Sequence, residues 1–72
     1  MDRARTFTVG ARTFRILVNA HADPLGPAAY IATAFEGDSQ VVSDGGDPIE
    51  LPASLENKAM ARMESYLSRR FG

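Results

Sequence analysis

The sequence predicts an α+β fold: a small antiparallel sheet of three to four strands, then one C-terminal helix packed on one face. Three observations predict it. Two short runs alternate apolar and polar residues around a Gly, a third alternating run follows a Pro-rich break, and the tail carries apolar residues at helical spacing. With 72 residues and no linker or repeat, the chain reads as a single domain over 1–72.

Residues 5–9 place Phe7 and Val9 on one side and Thr6 and Thr8 on the other, the pattern of a half-buried strand. Gly10-Ala11 then suits a two-residue type II′ hairpin turn, which wants Gly first. The return run, 12–20, aligns Phe14, Ile16, Val18 and Ala20 against Arg15 and Asn19, with Leu17 the exception. The segment Ala22-Asp23-Pro24-Leu25-Gly26-Pro27 breaks the ladder, since Pro has no N–H to donate.

A strand resumes over 28–36, with Ile31, Thr33 and Phe35 on one face and Tyr30, Ala32 and Ala34 on the other. Both faces are apolar enough for a central strand, and one helix is not expected to cover both. Turn residues at 36–39 lead to a short partner strand over 40–43. Asp44 to Pro48 breaks again, and 49–51 adds an edge segment.

In the tail, Leu55, Ala59, Met63, Tyr66, Leu67 and Phe71 form one apolar stripe. Ser54 is the expected N-cap, because its hydroxyl can accept from an unpaired first-turn N–H. Glu56 near the start and Arg69 and Arg70 near the end suit the helix dipole. Gly72 occupies the place of a left-handed C-terminal residue, and Lys58, Arg62 and Ser65 fall on the outer side.

Composition limits the function classes. Of the 32 residues counted as hydrophobic, 11 are Ala, so 21 larger side chains must build the core. A chain this short buries only about 60% of its unfolded surface, which leaves no room for a large enzyme cleft. The absence of Cys excludes disulfides and thiolate metal sites. No stretch approaches the roughly 20 apolar residues of a membrane helix, and no signal-peptide core follows the charged start, so a cytoplasmic, bacterial-type protein with no membrane contact is expected.

The net charge of −1 conceals three blocks: +3 over residues 1–20, −6 over 21–50 and +2 over 51–72. Such segregation produces either charged patches or faces that neutralise one another. His21 with Asp23 is the sole His–acid pair near a turn; without a neighbouring nucleophile it reads as a loop residue. Asp38, Asp44, Asp47 and Glu50 could offer oxygen ligands, but the calcium-loop spacing is absent and a solvated turn is the simpler reading. Gly45-Gly46 could cradle an anion, although Asp44 and Asp47 would repel it. No catalytic, cofactor-binding or metal-binding residue is assigned, no cofactor is expected, and the chain reads as a non-enzyme.

The Arg residues are the remaining lead. Arg12 and Arg15 on the first hairpin, with Lys58, Arg62, Arg69 and Arg70 on the helix, could contact phosphates if they converged. The acidic middle and a pI near 5.7 disfavour that nucleic-acid reading. The bland alternative is a solvated helix face with intrahelical pairs around Arg62, whose neighbours include Glu64 and Lys58. The leading expectation is a protein–protein interaction module or homodimer, acting through an uncovered sheet face or edge.

The run Tyr30 to Phe35, the turn at Gly45-Gly46, and Ser54 leading to Ala59 and Leu67 resemble HicB-type antitoxins in element order, as in short bacterial β-rich proteins with a C-terminal helix. Pro48-Ile49-Glu50-Leu51-Pro52 stands where that family has a Pro-Asp-Leu-Pro-Gly type segment. This resemblance implies an antitoxin-like regulatory domain. The same order also looks like the β-β-β-α end of a double-stranded-RNA-binding domain, but Ser54 to Lys58 supplies one Lys where that family has a cluster.

Overall fold

A computed structural model describes residues 3–21 and 29–72. It has the predicted α+β architecture, with strands β1 (Arg3–Val9), β2 (Arg12–His21), β3 (Ala29–Glu36), β4 (Ser39–Gln40) and β5 (Leu51–Ala53) before helix α1 (Glu56–Phe71). The sheet is antiparallel in the order β1-β2-β3-β4, and β5 also pairs with β3.

The first hairpin closes as its sequence implies. Val9 pairs with Arg12 across Gly10-Ala11, and Gly10 takes φ +60 while Ala11 does not, as a type II′ turn requires. β1 begins two residues earlier than expected, at Arg3. The Pro-rich break from Ala22 to Pro27, and residue 28, lie outside the described residues.

The far edge differs from expectation. The partner strand expected over 40–43 is only Ser39–Gln40, and the edge segment expected over 49–51 falls at Leu51–Ala53. β4 pairs with the C-terminal end of β3 (Glu36↔Ser39) and β5 with its start (Tyr30↔Ala53), so the two are pieces of one interrupted edge strand. Residues 41–50 leave that edge and rejoin it. Val41 still donates its N–H to the Ala34 carbonyl at 2.8 Å, and Ile49 donates to Val41 at 3.1 Å. Pro52 fits an outer strand, where a missing N–H leaves no inner ladder bond unmade.

The helix covers one face of the sheet, packing mainly on β2, β3 and β5. Phe14, Ile16 and Val18 from β2 meet Ala59, Met60, Met63 and Leu67 from the helix, with Ala32 and Ala34 of β3 at full burial between them. The two alanines explain which face of β3 the helix chose. The small side chains of β3 leave room in the layer for the longer Met60, Met63 and Leu67, of which Met63 and Leu67 are fully buried. Phe14 also stacks on Phe71, with ring centroids 5.1 Å apart.

Three details of the stripe are corrected. Leu55 is 52% exposed rather than in the core, because it precedes the helix in extended conformation as its N-cap residue. Ser54 is therefore one position too early, and no side chain caps the first turn. Met60 joins the buried stripe unannounced. At the other end Gly72 donates its N–H to Ser68, but positive φ among the described residues is confined to Gly10, Gly37 and Gly46. Ala20, expected on the apolar face of β2, is exposed beyond the reach of the helix.

Candidate interaction surface

The face turned away from the helix is set by strand alternation. Leu17 pairs with Ala4 and Thr33, Asn19 with Ile31, and Arg15 with Thr6 and Phe35. Leu17, Ile31, Thr33 and Phe35 are half-buried and lie apart from the core cluster, and among the described residues no element covers them. Exposed Thr6, Thr8, Thr13, Arg15 and Asn19 rim this short apolar strip. At one end a shallow recess of about 240 Å³ opens between Thr6, Thr13, Arg15, Phe35 and Asp38.

β1 forms one border of the sheet. A two-residue turn makes Val9 and Arg12 a hydrogen-bonded pair, so the N–H and C=O groups of Arg3, Arg5, Phe7 and Val9 bond to β2. Those of Ala4, Thr6 and Thr8 consequently point outward. The same alternation carried across the sheet turns Ala34 outward at the opposite border, where Val41 bonds it. β1 contains no Gly or Pro, and its register with β2 runs unbroken from Arg3↔Val18 to Val9↔Arg12. It lacks bulges and prolines, and the charges it carries, Arg3 and Arg5, are engaged by Glu56 and Glu64 of the helix.

The three charge blocks largely meet one another. Arg3 reaches Glu56 at 3.3 Å and Arg5 reaches Glu64 at 3.4 Å, joining the basic first strand to the helix. Arg12 grips Glu36 through two hydrogen bonds, of 2.8 and 2.7 Å. Those bonds hold the Glu36 carboxyl below its ordinary range and raise the Arg12 guanidinium, outweighing the opposing effect of desolvation. Arg70 donates to the Val42 carbonyl and the Tyr66 hydroxyl and lies 3.5 Å from Asp44. Arg12 and Arg70 also sit over the Phe71 ring, at 4.3 and 5.1 Å from its centroid. This cation–aromatic cluster closes the end of the core beside a shallow cleft of about 200 Å³.

The predicted Arg set is therefore divided. Arg12 and Arg70 converge, but on Phe71 and on acidic or carbonyl partners. Arg62 binds the Pro52 carbonyl at 2.8 Å, fastening β5 to the helix. Among the described residues Arg15, Lys58 and Arg69 make no ion pair, and they come from the open sheet face and from the outer helix surface. The intrahelical pairing expected around Arg62 gives way to these cross-element contacts.

His21 ends β2 and is exposed, whereas Asp23 lies outside the described residues. Asp38, Asp44, Asp47 and Glu50 are exposed, and among the described residues no three His, Asp or Glu side chains gather as a metal would need. The loop at Gly45-Gly46 is closed on itself: Ser43 N–H donates to Asp47 at 2.7 Å and Gly46 N–H to Ser43 at 2.9 Å. The Gly46 donor is thereby spent within the turn rather than presented to an anion.

No family model, curated protein or solved structure matches the chain. Sequence reasoning missed the Arg12–Phe71–Arg70 cluster, because Arg12 and Phe71 are remote in sequence and only the packing of the helix on the first hairpin brings them together. It treated β1 merely as half of a hairpin. The signal for a regular edge was present in its unbroken, Pro-free alternation.

Proposed function

We propose that this protein is a non-enzymatic interaction module, a bacterial-type cytoplasmic domain that associates with a second copy of itself through sheet surface its helix does not cover. The observation that carries this reading is the one-sided architecture. One helix packs on one face, while the strip at Leu17, Ile31 and Phe35 lies on the other face, and β1, which meets the helix less than β2 or β3 does, forms a border of the sheet. A 72-residue chain without disulfides gains stability when such surface is covered, since association favours the folded form by mass action.

The alternative, nucleic-acid binding through Arg residues, is weakened because Arg3, Arg5, Arg12 and Arg70 already face carboxylates. Sedimentation equilibrium between about 10 µM and about 1 mM tests the module reading, the range in which a small interface associates. A species of twice the 7.8 kDa chain mass is expected to accumulate with concentration. A strict monomer throughout would overturn it.

A further inference from the structure

We infer that the second copy binds at β1, the two β1 strands pairing antiparallel about a two-fold axis at Thr6 to give one continuous sheet. The inference rests on the self-association reading and specifies its interface. Ala4, Thr6 and Thr8 direct their backbone groups outward, so only registers that match these residues with one another form ladder bonds.

Three symmetric registers keep two or more hydrogen-bonded pairs within β1. Centred on Thr6, all seven residues of β1 overlap and about six inter-strand hydrogen bonds form. Centred on Arg5 or on Phe7, the overlap shortens by two residues and about four bonds remain. The Arg5 register also sets Arg5 directly against its own mate, a like-charge pair that destabilises a ladder.

The Thr6 register instead sets Arg5 against Phe7 and Arg3 against Val9 of the second copy. Each guanidinium faces an apolar partner and keeps its carboxylate, Glu64 or Glu56, on its own helix. On the open face Thr6 meets Thr6, and Ala4 meets Thr8, with no charge in the row. Thus the hydrogen-bond count selects the Thr6 register, and charge disfavours only the Arg5-centred one. The edge is preferred to the open face because Thr6, Thr8, Thr13, Arg15 and Asn19 dilute the apolar strip there.

The chain has no Cys, so single-cysteine variants test the register directly. Thr6 is exposed, and Thr6→Cys leaves the core untouched. A hydrogen-bonded antiparallel pair holds its Cα atoms about 5.5 Å apart, inside the disulfide range of about 4.4–6.8 Å. With diamide as oxidant, each disulfide formed between two introduced thiols passes two electrons and two protons to one diamide. Thr6→Cys is expected to cross-link to a covalent dimer at least tenfold faster than Thr8→Cys, whose mates lie about 14 Å apart in this register. Mixing Ala4→Cys with Thr8→Cys should restore rapid cross-linking.

Equal rates at positions 6 and 8 in a protein that sediments as a dimer would overturn the β1 interface while leaving self-association standing. A wild-type protein that sediments as a monomer, with no cross-linking of the variants above a denatured control, would remove both.

Discussion

At the scale of single residues, Ala32 and Ala34 do most to decide the architecture, because their size determines how near the helix can come. The structure is asymmetric about β3, so enlarging a side chain should have different consequences on its two faces. Ala34→Leu adds volume to a filled layer beneath the helix and should cost about 1–3 kcal/mol. Thr33→Leu points to the open face and should change stability by no more than about 0.5 kcal/mol. Urea unfolding of the two variants measures the contrast. Glu36 offers a separate handle. Its folded carboxyl titrates lower than in the unfolded chain because Arg12 donates to it. The stabilisation is therefore complete above the unfolded carboxyl value and vanishes as pH falls through the lower folded one. The loss in melting temperature between pH 7 and pH 3 should be smaller in Glu36→Gln than in wild type, though modestly so for an exposed pair.

At the scale of elements, helix α1 starts poorly and ends well. Leu55 occupies the N-cap with φ −127 and ψ 145, half exposed and unable to accept a hydrogen bond through its side chain. Leu55→Asp keeps that extended backbone and supplies an acceptor beside the positive end of the dipole. It should stabilise the fold by about 1 kcal/mol, raising the midpoint of a thermal melt by about 4–8 °C for a domain of this size. The helix was otherwise legible from periodicity, as was the first hairpin from its alternation and Gly10. The outer strand was not. Val41 and Val42 resemble a strand by propensity, yet only Val41 keeps a bond to β3, and Val42 turns away to bridge Pro48. Local preference carries no information about where a neighbouring edge ends.

At the scale of the whole molecule, the charge blocks were legible but their meeting was not, since pairing such as Arg3 with Glu56 depends on how the helix lies across the sheet. The principal asymmetry is structural: the helix covers one face, and among the described residues no element covers the other. The interrupted outer strand gives this architecture a practical property. Residues 41–50 depart from and return to the same border of β3, where β4 and β5 are each paired on either side of the excursion. An insertion between Gly45 and Gly46 should cost the turn its Ser43–Asp47 and Gly46–Ser43 bonds before it reaches either strand. Each doubling of that loop adds only about 0.6 kcal/mol of closure entropy. Added length should therefore be tolerated best at this rim of the sheet, above the bonds that Val41 and Ile49 make at the base of the loop.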